Sequence, residues 1–101
     1  MSYAYIWEFH VAPGQHNEFE RHYGPHGTWV QLFRKADGHV ETLLLNDRTS
    51  PDRYVTVDRW CDEQAFDAFR AAFGEQYEKL DRECERLTVS ERSLGVFSEG
   101  V

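Results

Sequence analysis

The longest amphipathic pattern in the chain is the feature that most constrains its fold. Between Asp62 and Leu87, apolar residues recur at steps of three and four, which places them on one face of an α-helix. They are Phe66, Phe69, Phe73, Tyr77, Leu80, Cys84 and Leu87. Such a helix is roughly 35–40 Å long, enough to cross a whole sheet, with Asp62 as its N-cap and Gly74 as the expected point of any kink. The rest of the chain has to supply a surface that covers this face.

Four segments have the character of β-strands. Tyr3–Val11 alternates, with Tyr3, Tyr5, Trp7, Phe9 and Val11 on one face, which is typical of a strand. His39–Asp47, Arg53–Trp60 and Glu91–Phe97 are predicted to be the second, third and fourth strands. A polar segment around Pro51 connects the second strand to the third as a hairpin.

A glycine-bracketed connector lies between the first helix and the second strand. Gln15–Tyr23 is predicted to be a helix, which Gly24-Pro25 ends. Thr28 is then suited to cap a short helix in which Trp29 and Phe33 share one face. Two interpretations fit this apolar connector: it covers a pocket, or it covers a filled core.

The order of the elements predicts one α+β domain over residues 1–101. A βαββαβ order is typical of the ferredoxin-like fold, a four-stranded antiparallel sheet with two helices on one face. The second face of this sheet is also apolar, since the strand segment "VETLLL" places leucines on both of its faces. We therefore expect a homodimer through the sheet face, the alternative being a monomer with an apolar sheet. Arg59 should reach this face and pair there with Glu8 or Glu41 across the interface.

Charge and composition exclude several partners. The formal net charge is −7 and the pI is near 5.1, and no basic stretch is available to neutralise phosphates, so we expect no nucleic acid and no membrane partner. No window approaches the roughly 18 apolar residues of a membrane span, and the first residues lack the positive charge of a signal peptide. We expect a cytoplasmic protein with Cys61 and Cys84 as free thiols, since nothing in their spacing supports a disulfide.

Several segments in a fixed order carry a family resemblance. They are "WEFHVAPG", "GTWVQLFRKADGHVETLLL", "YVTVDRW" followed by "DEQAFDAFRAAFGEQYEKLD", and "ERSLGVF". Together, over about residues 3–97, they resemble the dimeric α/β-barrel proteins of the antibiotic biosynthesis monooxygenase-like superfamily. The resemblance implies a homodimer with a pocket between sheet and helices in each subunit. Oxygenase members oxidise polycyclic aromatic polyketides with O2 and no metal, flavin or haem, while other members degrade haem, isomerise, decarboxylate or have no known activity.

The haem-degrading branch can be tested against the residues. It uses an Asn on the first strand and a His on the second helix, and this chain has neither in Tyr3–Val11 or between Asp62 and Leu87. Trp60 matches a tryptophan of that branch, but a tryptophan ending the third strand is common across the superfamily. Since the histidines also lack metal-ligand spacing, we expect no metal. The resemblance to the oxygenase members implies that no other cofactor is needed.

Two residues are candidates for a catalytic base. His39 begins a strand and is therefore rigidly held, and a neutral imidazole can take a proton from a phenol or an enol. Asp58 shares a strand face with Trp60, and a carboxylate that faces a partly apolar space has a raised pKa. Each also has a structural interpretation: His39 as a surface histidine beside a glycine, Asp58 as the partner of an arginine.

Five residues are candidates for binding a substrate: His26, Trp29, Phe33, Trp60 and Tyr77. Trp29 and Phe33 would form a lid, Trp60 a flat wall or an indole N–H donor, and Tyr77 a hydroxyl that points into the cavity. His26 flanks the connector. The aromatic residues are also explained as core packing, and the sequence leaves both interpretations open.

Two functional hypotheses follow. The first is a small cofactor-independent monooxygenase that acts on a planar aromatic or polyketide-like molecule. The second is a non-catalytic homodimer that binds a small apolar ligand or serves as an accessory protein, which the lack of a clear acid–base pair favours.

Overall fold

The order of helices and strands in the computed structural model, which describes residues 2–100, is the predicted one. The elements are β1 (Tyr3–Val11), α1 (His16–Tyr23), α2 (Thr28–Phe33), β2 (His39–Asn46), β3 (Arg53–Trp60), α3 (Glu63–Cys84), a 3₁₀ turn (Glu85–Leu87) and β4 (Thr88–Ser98). All strand pairs are antiparallel, in the order β2-β3-β1-β4. The prediction of a ferredoxin-like α+β fold is confirmed.

Both long helices pack on one face of the sheet, which we call the inner face. From α1, Phe19 contacts Phe9 and Tyr54 with ring centroids 5.2 and 4.8 Å apart. From α3, Phe69 is completely buried, 5.2 Å from the ring of Trp60. The apolar stripe of α3 therefore packs on the aromatic rows of β1 and β3, as its periodicity predicts.

The opposite face, which we call the outer face, is apolar at its centre. Ile6, Val57 and Leu43 lie side by side on β1, β3 and β2. In the protomer Leu43, Leu45 and Phe97 are 37%, 51% and 49% exposed. The described chain leaves this apolar surface uncovered.

Ion pairs within the protomer surround that apolar centre. Arg53 Nε and Arg92 Nε lie 2.6 and 3.0 Å from the carboxylate of Glu8. Arg59 reaches the outer face as predicted and pairs there with Glu41 of the same chain. Adjacent antiparallel strands place Arg59 and Glu41 directly opposite each other, so no second subunit is needed for this pair.

Three local features differ from or refine the sequence predictions. The expected Thr28 cap is wrong: the N-cap of α2 is Gly27, which has no side chain that could cap the helix. A larger residue does not fit at this position, because a Cβ at Gly27 would lie 2.6 Å from the carbonyl oxygen of Arg21. The irregular backbone in α3 falls at Phe73 (φ −121°, ψ 24°), one residue before Gly74. The predicted Asp62 cap is confirmed, since its Oδ1 accepts the backbone N–H of Ala65 at 2.8 Å.

The remaining expectations concern β4 and the thiols. β4 begins at Thr88 rather than Glu91, because its pairing with β1 extends from Val11 to Tyr3. Cys61 and Cys84 are free, the first exposed and the second buried. None of the described helices has the length and hydrophobicity of a membrane span.

Candidate active site

A cavity of about 130 Å³ lies between the inner face of the sheet and the helices. Its walls come from all four strands and from all three helices, so the whole fold is needed to form it. The lining residues are Trp7, Phe9, Tyr23, Trp29, Phe33, Thr42, Thr56, Asp58, Tyr77, Asp81 and Glu91. Six of these eleven side chains are aromatic, which suits a flat, apolar ligand.

The aromatic walls follow directly from local periodicity. Trp7 and Phe9 are two apart on β1 and therefore point to the same face, while Trp29 and Phe33 are four apart on α2. Tyr77 of α3 meets Trp29 edge to face, with ring centroids 5.0 Å apart. Together, these rings enclose a space from three sides.

Asp58 is an ionisable group on the floor of the cavity, on the inner face of β3. Burial raises the pKa of Asp58 to about 6, although the hydrogen bond from Thr42 opposes the shift. Thr42 Oγ1 donates to Asp58 Oδ1 at 2.7 Å. At neutral pH this carboxyl is mainly ionised, and it is a stronger base than an ordinary aspartate.

His39 lies behind Thr42 and does not line the cavity. Its Nε2 is 2.9 Å from Thr42 Oγ1, and its ring packs between Phe33 and Trp60 at centroid distances of 5.3 and 5.4 Å. Burial, and then the charge of Arg34, lower the pKa of His39, so the imidazole is neutral at pH 7. His39 is thus one hydrogen-bonded residue removed from the carboxylate that faces the cavity.

The rest of the lining is acidic or neutral. Asp81 and Glu91 contribute two further carboxyl groups, and burial, followed by the charges of Asp81 and Glu85, raises the pKa of Glu91. Burial also raises the pKa of Tyr77 to about 12, so its hydroxyl stays protonated and can donate a hydrogen bond. No Lys or Arg is among the lining residues. The cavity therefore favours neutral or cationic ligands over anions.

The structure brings together four of the seven residues that the sequence suggested: Asp58, Trp29, Phe33 and Tyr77. Trp60 is completely buried and packs among Phe33, Phe66 and Phe69 rather than against the cavity. His26 is exposed, outside the cavity, and contributes only its backbone carbonyl to a hydrogen bond from Gln31.

Sequence reasoning missed seven lining residues: Trp7, Phe9, Tyr23, Thr42, Thr56, Asp81 and Glu91. Parity carried a signal for some of them, because Thr56 shares a strand face with Asp58, and Trp7 and Phe9 belong to the aromatic face of β1. Glu91 could not be found this way, because its position depends on the register of β4 against β1.

A metal centre does not form among residues 2–100: no three His, Cys, Asp or Glu side chains gather in a way that could hold an ion.

Comparisons with known proteins give the relationships of the chain. A family model described as antibiotic biosynthesis monooxygenase matches residues 2–77. No curated protein sequence matches significantly.

Several solved structures share the fold. SnoaB, a cofactor-independent oxygenase from Streptomyces nogalater, is 23% identical with a TM-score of 0.66, covering 99% of this chain and 94% of that one. PA3566 from Pseudomonas aeruginosa is 19% identical with a TM-score of 0.73 (99% and 95% covered). A conserved protein from Methanosarcina mazei Go1 is 11% identical with a TM-score of 0.78 (99% and 94% covered). At these identities the likeness shows the fold, and the family model, which matches well over half of the sequence, shows that the chain belongs to the antibiotic biosynthesis monooxygenase family.

Proposed function

We propose that this protein is a monooxygenase that oxidises a small hydroxylated aromatic compound with O2 and without a metal or organic cofactor. The observation that carries the proposal is the carboxylate of Asp58 on the floor of a mainly aromatic cavity. Its pKa of about 6 leaves it ionised at neutral pH and still basic enough to take a phenolic proton. Membership of the family and the fold shared with a cofactor-independent oxygenase support the same reaction class.

The reaction balances without an external reductant. Asp58 takes the proton of the substrate hydroxyl, and the electron-rich anion passes one electron to O2. The resulting radical and superoxide combine at the ring carbon opposite the hydroxyl, which carries one hydrogen. The peroxide takes the proton back from Asp58, and the ring carbon then loses its hydrogen as the O–O bond breaks, so that water leaves and a carbonyl forms. One oxygen atom stays in the product and the other leaves as water, so the substrate supplies all four electrons that O2 takes up.

The walls of the cavity serve this chemistry by excluding water from the reactive anion. Trp29 and Phe33 close the cavity from α2, and Trp7 and Tyr77 close it from β1 and α3. The substrate then meets O2 in a space where competing protonation by solvent is slow.

The size and charge of the cavity indicate the class of substrate. A volume of about 130 Å³ is close to that of an apolar cavity of about 150 Å³ that encloses benzene, so one aromatic ring fits inside. A fused polyketide-like system would place one ring beside Asp58 and extend its other rings through the opening. The carboxyl groups of Asp81 and Glu91 favour a substrate that is uncharged when it enters.

Oxygen uptake with a panel of one- to three-ring hydroxylated aromatics, in air and under nitrogen, tests the proposal. We expect uptake in air and a loss of roughly 10²–10⁴-fold in turnover for Asp58→Asn. Asp67→Asn removes a carboxylate from an exposed position on α3 and is the matched control. Full turnover in Asp58→Asn would refute the role of this carboxylate.

A second candidate function is the binding of an apolar ligand without turnover. One observation favours it: His39 does not reach the cavity, so no imidazole faces the ligand. Trp7 and Trp29 line the cavity and report binding through their fluorescence. Saturable quenching by ligands that are never consumed in air would establish binding as the function.

We also infer that the outer face pairs with a second copy of this chain. Its exposed apolar side chains would be covered by the same set from the partner, and the surrounding charges are already paired within each protomer. Two-fold pairing of the sheets would complete a dimeric α/β barrel and leave each cavity free on the other side.

Sedimentation at micromolar concentration tests this pairing. We expect a dimer for the native chain and a monomer for Leu43→Lys, which puts a charge into the apolar row that Leu43 forms with Val57 and Ile6 on the outer face. Val89→Lys is the control, because Val89 is 69% exposed but lies beside Tyr23 and Cys84, away from that face. A native monomer would contradict the inference.

A further inference from the structure

The floor of the cavity contains a hydrogen-bond chain whose direction the chemistry fixes. Thr42 Oγ1 carries one proton, and it donates that proton to Asp58 Oδ1 at 2.7 Å. His39 Nε2 lies 2.9 Å from Thr42 Oγ1. Because the one hydroxyl proton of Thr42 is already donated to Asp58, His39 Nε2 must be the donor in the bond between His39 and Thr42. The imidazole therefore carries its proton on Nε2, and its Nδ1 is unprotonated.

We propose that Thr42 is a positioning residue for Asp58 and that His39 acts through Thr42 by fixing the direction of its hydroxyl. This rests on the proposed role of Asp58 as the base. Thr42 is only 5% exposed, and its bond holds one carboxylate oxygen still. The other oxygen, Oδ2, keeps its lone pairs for the proton of the substrate.

The alternative tautomer of His39 explains why the histidine matters. With its proton on Nδ1, the ring would accept the Thr42 proton at Nε2, and Asp58 would lose its donor. The packing of the ring between Phe33 and Trp60 holds Nε2 toward Thr42. His39 is thus expected to influence Asp58 although it touches neither the cavity nor a ligand.

The surroundings of Asp58 make this bond important. On the sheet, the titratable groups near Asp58 are Tyr5 opposite it on β1, His39 behind Thr42 on β2, and Glu91 of β4. On the helices they are Tyr23 of α1 and Tyr77 and Asp81 of α3, and the guanidinium of Arg70 lies over the Tyr77 ring. Burial disfavours the charged form of Asp58, and the hydrogen bond from Thr42 opposes this effect. Among residues 2–100, Thr42 is the side chain that donates a hydrogen bond to Asp58. Removing its hydroxyl should therefore make the carboxylate harder to ionise.

Three variants test the proposal: Thr42→Val, which keeps the shape but lacks the hydroxyl, Thr42→Ser, which keeps the hydroxyl, and His39→Phe, which keeps a ring but lacks Nε2–H. The readout is the titration of the Asp58 carboxyl carbon by NMR in the ligand-free protein, together with the pH profile of kcat/KM. We expect Thr42→Val to raise the pKa of Asp58 by about one unit and to move the acidic limb of the profile equally. His39→Phe should shift both in the same direction by less, and Thr42→Ser should restore the native values.

The outcomes separate this inference from the proposed function. If the Thr42→Val variant is folded and the pKa of Asp58 in it equals the native value, the positioning role is overturned, independent of the activity of the variant. If the titration moves but Asp58→Asn turns over normally, the hydrogen bond holds Asp58 as inferred and the catalytic proposal fails. A positioning role also requires that Thr42→Val lowers kcat while KM changes little.

Discussion

Replacing Asp58 with asparagine should stabilise the folded protein above pH 6 while it removes activity. The pKa of Asp58 is raised from 3.8 to about 6 in the folded state, mainly by burial. Because the folded state holds this proton more tightly, the contribution of Asp58 to stability falls as pH rises from about 4 to 6, and stays low above that. About two pKa units, at about 1.4 kcal/mol each, correspond to about 3 kcal/mol. Asparagine avoids this cost because it is never ionised, and its amide oxygen can still accept from Thr42.

The assay is urea unfolding of both proteins at pH 4, 5, 6, 7 and 8, at one protein concentration. The difference in unfolding free energy between Asp58→Asn and the native chain should increase by about 2.5 kcal/mol between pH 4 and pH 8, with most of the increase below pH 7. Asp67→Asn, which removes an exposed carboxylate from α3, should show no comparable increase. A difference that is independent of pH would refute the claim that Asp58 is buried at a cost.

The other predictions concern the core, a turn, the thiols and the ligand. Phe69→Ala should destabilise the fold by about 3–5 kcal/mol in urea unfolding, because its ring is completely buried in the core; a small change would contradict this packing. Gly38→Ala should cost more than about 1 kcal/mol, since φ is +103° and a new Cβ would lie 2.6 Å from Ala65 Cβ. With a thiol reagent, exposed Cys61 should react in the native state and buried Cys84 only after unfolding. In fluorescence titrations, aromatic ammonium ions and neutral phenols should bind more tightly than aromatic carboxylates; the reverse order would contradict an acidic cavity.

Most of the fold was predictable because its patterns are local. The alternation of Tyr3–Val11 and the stripe of α3 fixed which side chains face the core, and the structure agrees for both. The start of β4 was not predictable from the sequence, because Thr88 to Ser90 belong to the strand only through their pairing with the end of β1. Tertiary pairing decided that boundary, and no local pattern marks it.

The site was predictable only where it depends on strand parity. Asp58 lies on the inner face together with Trp60, as its parity predicts. His39 and Thr42 are three residues apart, so a regular strand would point them to opposite faces. An irregular register between His39 and Glu41 brings both to the inner face, and the chain from His39 to Asp58 exists because of it.

The most direct test of the account is a single-turnover reaction under ¹⁸O2, with the product analysed by mass spectrometry after the protein has been treated with a chelator. The account predicts one ¹⁸O atom in the organic product and the other in water, with this labelled product strongly reduced in Asp58→Asn. A product whose new oxygen is unlabelled and therefore comes from water, or a reaction that proceeds equally under nitrogen, would contradict it.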